Sequence, residues 1–298
     1  MLTYASKEYA LSLKDFGDPL HLPNCNGWLL KRRIPGSEYF DGMGCYPLFA
    51  CSSWQNIPLD LDLIGSSLVS IVLVSDPFGE YTAKDLSASF TDLAIPFKEH
   101  FVIDLKQINI SKHHRYYSTR SLKKVTVDIC QTPLFYLDRW SHLYSALIGR
   151  HNLKGIKAFS ETSFKALLAL PNVVMFKAES DGDIIGAHLW FTNGNTGYSH
   201  LAAFNASGYE LMAAYALYSE AIDYFSNSLR WLDIGSGAGI NTRNDDGLTQ
   251  FKRGWTDKSR TAYLCGKVFN RGAYSSLVRA KGAAGSAYFP LYRLGEYA

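Results

Sequence analysis

Residues 198–255 read YSHLAAFNASGYELMAAYALYSEAIDYFSNSLRWLDIGSGAGINTRNDDGLTQFKRGW. Within them a strand end, the longest amphipathic helix pattern of the chain, a short strand, a glycine-rich turn and a short helix follow one another. Over 208–225, Leu211, Tyr215, Tyr218, Ile222 and Phe225 fall on one stripe, which predicts a helix with Asn205 or Ser207 as its N-cap. The spacing then predicts a strand over 230–234, a turn through Gly235, Gly237 and Gly239, a loop over 240–247 and a helix over 247–255.

Upstream, 173–179, 184–192 and 197–204 alternate as strands, joined by Ser180-Asp181-Gly182-Asp183 and Asn193-Gly194-Asn195. Both connections have hairpin chemistry, so an antiparallel meander is expected. Before it stand helices over 136–150 and 162–170, the second stopped by Pro171, and a strand over 125–129. After it, 260–268 reads as a further strand. The first third offers short strands at 28–33, 46–51 and 68–75 and poor helix signals. The polar, basic run SKHHRYYSTRSLKK at 111–124 breaks the apolar pattern and reads as a linker. Two domains are therefore expected, 1–112 and 113–298, with no repeat visible in the letters themselves.

Composition narrows the function classes. With 298 residues, 47% hydrophobic and only 19% charged, the chain has a core's worth of apolar material and is not disordered. A net charge of +3 is too small for a global field that would gather a polyanion, and nothing points to DNA. Any anionic ligand must be held by local features. The five cysteines are widely spaced without a CxxC pair, so neither a disulfide framework nor a metal site is indicated. The N-terminus lacks the basic-then-apolar order of an export signal, and the longest apolar run, 68–74, is strand-sized. A cytoplasmic protein without a membrane span is expected. There is no H-E-x-x-H, G-x-S-x-G or G-x-x-x-x-G-K-S/T motif.

Asp181-Gly182 to Gly186, Tyr198-Ser199-His200-Leu201-Ala202-Ala203, Gly208-Tyr209-Glu210-Leu211, Leu232-Asp233-Ile234-Gly235 and above all Phe251-Lys252-Arg253-Gly254-Trp255 carry a resemblance to a known family. In this order, over roughly 113–268, the chain resembles the Fem-type branch of the GNAT acyltransferase superfamily. The resemblance implies an α+β protein of two GNAT-like domains (acyl-CoA N-acyltransferase fold), a mixed sheet flanked by helices, with the N-terminal copy degenerate. It also implies a bacterial N-acyltransferase. The donor would be an acyl-CoA, acetyl-CoA among them, or aminoacyl-tRNA. The acceptor would be the amine of a small molecule or of a peptidoglycan or polysaccharide precursor. No metal is implied.

Lys252 leads the candidate catalytic residues, because a lysine can stabilise a developing oxyanion. His200 and Tyr198 share one strand face, and a histidine can serve as general base for an amine nucleophile. Donor contacts are expected at Asn205, Ser207, Gly208 and Tyr209, where the superfamily carries R/Q-x-x-G-x-G/A. This chain has one glycine and no arginine there, although a helix start still offers unpaired N–H groups. Asp233, Phe251, Trp255 and Arg253 are expected to contact substrate. The basic run from His113 to Lys124 suits RNA phosphates as well as a solvated linker. Two alternatives stand beside acyl transfer. One is a non-catalytic binding protein on the same scaffold. The other takes Leu232–Gly239, LDIGSGAG, as the glycine motif of an S-adenosylmethionine-dependent methyltransferase. A doubly wound domain would need far more chain after that motif than the remaining residues supply.

Overall fold

The structure, a computed structural model, describes residues 3–238, 246–283 and 285–296. Gly239 and the 240–245 part of the expected loop lie outside the described residues. In chain order the strands are β1 (Asp18–Leu22), β2 (Gly27–Arg33), β3 (Phe40–Gly44), β4 (Ser70–Val74), β5 (Leu93–Asp104), β6 (Thr126–Cys130), β7 (Val173–Ser180), β8 (Asp183–Asn193), β9 (Thr196–Phe204), β10 (Trp231–Asp233) and β11 (Ser259–Val268). The helices are α1 (Lys7–Ser12), α2 (Ile57–Ile64), α3 (Ala83–Ser89), α4 (Lys112–Ser121), α5 (Leu137–His151), α6 (Glu161–Leu168), α7 (Ala206–Glu210), α8 (Ala213–Ser226), α9 (Gly247–Arg253) and α10 (Arg271–Lys281).

Packing groups the chain into two compact units. One takes the chain up to Phe97, Lys154–Ser163 and everything from Thr261 on; the other takes Lys98–Leu153 and Phe164–Arg260. The division is interleaved and differs from a single cut after residue 112.

The two units repeat one strand plan that the letters hide. In the second unit β6, β7, β8 and β9 form an antiparallel meander, β9 pairs β10 in parallel, and β10 pairs β5 antiparallel. In the first unit β1, β2 and β3 form a shorter meander, β3 pairs β4 in parallel, and β4 pairs β11 antiparallel. Each parallel pair is bridged by helix, α8 in the second unit and α2 in the first, as a parallel connection requires. Because only the β9–β10 pair of the second sheet is parallel, the glycine run after β10 does not open a doubly wound sheet.

The second core is built on α8. Ala213, Ala216, Leu217, Tyr218, Ala221, Ile222 and Phe225 are its buried face, and the alanines let the helix lie close to β7 and β8. Phe176, Trp190, Ile103 and Leu232 meet it from the sheet. In the first unit Leu29, Phe49, Trp54, Leu61, Ile71 and Leu73 form the counterpart.

Three expectations are corrected. The 111–124 run is not a linker but the helix α4, whose buried residues His114, Ser118 and Ser121 recur at helical spacing. Ser111 caps it by accepting the His114 N–H. The expected helix over 208–225 is broken: α7 ends at Glu210, Met212 takes a left-handed φ of 58°, and α8 begins at Ala213. Ser121 of α4 donates to the carbonyls of Leu211 and Met212 at that break, at 2.8 and 3.1 Å. The 46–51 run is no strand; Phe49 forms only an isolated bridge to Ser75, and α1, α2 and α3 occupy the helix-poor third.

Candidate active site

The parallel pair opens into a fork. β10 pairs β9 only from Trp231–Asp233 to Thr196–Tyr198. Past Asp233 the chain stays with β5: Ile234 N–H donates to the Phe101 carbonyl and Phe101 N–H to the Gly235 carbonyl. β9 runs on to Phe204 with β8 on one edge. Among the described residues no strand covers its other edge beyond Tyr198.

Lys252 stands beside this fork. It belongs to α9, whose N-cap Asp246 accepts the Thr249 N–H and hydroxyl at 2.9 and 2.6 Å. The side chain is 7% exposed, and Nζ donates to the Ser236 carbonyl at 2.6 Å, its one hydrogen bond among the described residues. Burial lowers its pKa to about 8, against the opposing pull of Asp233 and Asp246 and with the help of Lys98. The amine is therefore still charged at neutral pH, desolvated, and left with donor capacity. Gly235 makes room for it. This residue has φ +76°, and a Cβ there would lie 2.9 Å from Nζ.

Asp233 is 3% exposed and serves two partners. Its Oδ1 accepts the Gly235 N–H at 2.7 Å, which shapes the turn, and its carboxylate receives His100 Nδ1 at 2.9 and 3.0 Å. His100 comes from β5, where Phe101 and Ile103 join the core and Lys98 and His100 alternate with them. The sequence reading missed both Lys98 and His100. The only available signal was charged residues inside an otherwise apolar alternating run, FKEHFVI at 97–103.

The remaining candidates fall in three places. Tyr198 is the register partner of Asp233 where the strands part, and His200 lies two residues further along β9. The His200 ring packs on Phe191 with centroids 4.5 Å apart, and burial lowers its pKa to about 3. Phe251 and Trp255 belong to an aromatic cluster with His114, Tyr215 and Tyr218, and Trp255 stacks on Tyr218 at 5.5 Å. Arg253 is exposed.

At the turn 205–209, the Asn205 side chain already accepts the Gly208 N–H at 2.9 Å. Gly208 is required by packing, because a Cβ would sit 2.2 Å from the Ile185 carbonyl oxygen. Ser207 is exposed. Tyr209 carries the guanidinium of Arg150, from the last turn of α5, 4.0 Å above its ring. An arginine from another helix thus stands beside this turn.

His188, next to Trp190 on β8, is fully buried. His188 Nε2 shares a hydrogen bond with Ser199 Oγ at 2.8 Å, and His188 Nδ1 has no partner among the described residues. Burial first, and the Lys252 charge second, lower its pKa to about 3.

Comparison with known proteins agrees with this architecture. Residues 109–253, just under half of the chain, match the family model described as an acetyltransferase (GNAT) domain. The solved structure of FemX superposes with a TM-score of 0.66 at 12% identity, covering 91% of this chain and 93% of its own. The C-terminal domain of a putative lysylphosphatidylglycerol synthetase from Agrobacterium fabrum gives 0.64 at 14% identity, with 94% and 92% covered. L-PGS from Bacillus licheniformis gives 0.57 at 14%, with 95% and 98% covered. Comparison with curated proteins gives no match. The likeness shows the α+β acyl-CoA N-acyltransferase fold in two domains, with the GNAT-domain match confined to 109–253. Among the described residues no helix is long and apolar enough to cross a membrane, and no cluster of His, Cys, Asp and Glu could hold a metal ion.

Proposed function

We propose that this protein is an N-acyltransferase that moves an acyl or aminoacyl group from an acyl-CoA or an aminoacyl-tRNA to a substrate amine. The observation that carries the reading is the β9–β10 fork with a desolvated ammonium beside it. The edge of β9 past Tyr198, where no strand pairs among the described residues, suits an extended, amide-bearing ligand, as strand addition does. The pantetheine arm of a coenzyme A thioester has that form. Arg150, stacked on Tyr209, and the turn at Asn205, Ser207 and Gly208 are the place for its phosphates.

The chemistry needs no covalent enzyme intermediate. The amine attacks the activated carbonyl carbon, and negative charge builds on the carbonyl oxygen. A pre-placed ammonium in a water-poor site stabilises that charge more than water does. Lys252 supplies it, while Tyr198, Asp233 and His200 line the fork. Phe251 and Trp255 hold α9 in place through the aromatic cluster, and Arg253 faces solvent, where it can meet an anionic substrate. The acceptor is the amine of a small molecule or of a cell-wall or polysaccharide precursor, and reaction in the cytoplasm suits five buried, unbridged cysteines.

One ligand panel tests this reading: thermal unfolding with acetyl-CoA, longer acyl-CoAs, aminoacyl-tRNA and S-adenosylmethionine. A bound ligand raises stability by mass action. A saturable rise with an acyl donor is expected. No rise with any of them favours a binding protein on this scaffold. A rise with S-adenosylmethionine alone, lost in Gly235→Val, favours a methyltransferase.

A further inference from the structure

His100 is held in a way that a merely structural histidine has no need of. Its Nδ1 meets both oxygens of Asp233, at 3.0 and 2.9 Å, in a pair whose side chains are 9% and 3% exposed. A carboxylate accepts and cannot donate when ionised, so it fixes the ring proton on Nδ1. In the neutral ring the opposite nitrogen, Nε2, then holds the lone pair. Among the described residues Nε2 has no hydrogen-bond partner, yet it is not one of the fully enclosed polar atoms, so it reaches solvent. His188 and His200 differ: one is bonded through Nε2 to Ser199, the other packs on Phe191.

The pair also has its own support. Asp233 is fixed by the Gly235 N–H at 2.7 Å, and the Phe101 main chain on the far side of His100 pairs with Ile234 and Gly235. Gly235, which donates its N–H to Asp233, also stands against Lys252, since a Cβ there would lie 2.9 Å from Nζ, so one turn holds the pair and the ammonium together.

We propose that His100 is the general base for the acceptor amine and that Asp233 is its positioning residue. This assignment rests on the acyl-transfer reading above. The amine nitrogen forms its bond to the carbonyl carbon, and the C=O electron pair moves onto the oxygen stabilised by Lys252. His100 Nε2 takes a proton from the attacking nitrogen. As the oxygen pair returns, the C–S or C–O bond of the donor breaks. The departing thiolate or ribose oxygen takes the proton back from Nε2. The net change is amide plus thiol, or amide plus alcohol, with the enzyme restored.

Two measurements on the full chain test it. The first needs no substrate: long-range ¹H–¹⁵N correlation spectra of histidine-labelled protein, with His100 assigned by loss of its signal in His100→Gln. The neutral ring is expected to carry its proton on Nδ1, and Asp233→Asn, which keeps an acceptor for Gly235, should move the proton to Nε2. An Nε2-protonated ring in the wild type overturns the proposal.

The second compares n-butylamine with hydroxylamine as acceptors, with acetyl-CoA, a longer acyl-CoA and aminoacyl-tRNA as donors. Hydroxylamine is largely unprotonated at neutral pH and needs little help from a base. His100→Asn keeps a donor for Asp233, and so the fold, but lacks Nε2. It is expected to lower kcat for butylamine about 100-fold with donor KM unchanged, and to spare hydroxylamine. Equal losses on both acceptors, or no loss on either, overturn the base role while leaving acyl transfer standing. Absence of any wild-type transfer overturns the acyl-transfer reading and the base role with it, whatever the spectra show of the pair.

Discussion

Lys252 Nζ donates to the carbonyl oxygen of Ser236 at 2.6 Å from a side chain 7% exposed, and that single bond does not offset the loss of water around an ammonium. The pKa falls from its ordinary 10.5 to about 8 as a result. Between those two values the unfolded chain binds more protons than the folded one, so this group adds stability as pH rises from about 8 to 10.5. Below about 8 that contribution is absent. Replacing Lys252 by Met should remove a penalty of about 3 kcal/mol while leaving the Ser236 carbonyl unpaired at about 1–2 kcal/mol. Lys252→Met is therefore expected to melt higher than wild type near pH 7, with the gap closing toward pH 10.5, and to lose at least about 100-fold in kcat. Paired melting curves across that range check the first point and initial rates the second. A variant less stable than wild type at pH 7 contradicts the account.

Gly235 is the second half of this arrangement. At φ +76° an L-residue is strained by roughly 1–2 kcal/mol, and its Cβ would press on Nζ from 2.9 Å. Gly235→Ala should lower stability by about that amount and also displace the ammonium. The checkable sign is the rate at which a small amine-directed acylating reagent labels Lys252 as pH is varied. In the variant that profile should move toward that of an ordinary lysine.

Arg150 and Tyr209 make a claim about the donor. If the guanidinium above the Tyr209 ring holds phosphate, Arg150→Ala should raise the KM for a coenzyme A donor about 10-fold and leave kcat within about twofold. Steady-state kinetics with donor varied separates the two. Equal effects on a donor lacking the nucleotide end would show that the stack only braces α5.

His188 and His200 make the fold less stable in acid. Burial lowers both to about 3 from 6.5, so folded rings stay neutral where unfolded ones charge. Stability from this source is fully present above 6.5 and is lost as pH falls toward 3, with a contribution on the order of 4 kcal/mol for each ring at the acid end. His200→Phe, which keeps a ring against Phe191, should flatten the fall of Tm between pH 6.5 and pH 4. Thermal unfolding at a series of pH values measures it.

Much of the second unit was legible because its signals are local. The meander followed from alternation and two hairpin turns, and β10 and α9 from apolar letters between polar runs. What escaped depends on partners far away in sequence. The break at Met212 is satisfied by Ser121, some ninety residues earlier, which no helical periodicity in 208–225 could announce. His100 was invisible for the same reason, since its meaning lies in Asp233, reached only when β5 and β10 pair. The repeat of strand plan between the units was expected from the family resemblance alone, since no self-similarity of letters announced it and pairing direction is set by main-chain bonds.

The helix α4 divides the two readings of the basic run by its faces. Its buried side is structural: His114 Nε2 donates to the Phe251 carbonyl at 2.7 Å, and its ring meets Tyr215, Phe251 and Trp255. Burial, opposed by that bond and aided by His113, lowers the His114 pKa, as an enclosed neutral ring requires. Its other side exposes Lys112, Arg115 and Arg120, with Lys123 and Lys124 just beyond. His114→Ala should therefore cost about 2–4 kcal/mol, read as a lower Tm, through a cavity and an unpaired carbonyl next to Lys252. Replacing Arg115, Arg120, Lys123 and Lys124 by Gln should leave Tm almost unchanged. If this face meets the phosphates of an aminoacyl-tRNA donor, the same variant should bind tRNA more weakly and with a shallower dependence on salt, by up to about four counterions. Filter binding across a salt series decides between an RNA-facing helix and a solvated one: an unchanged slope assigns the basic face to solvent alone.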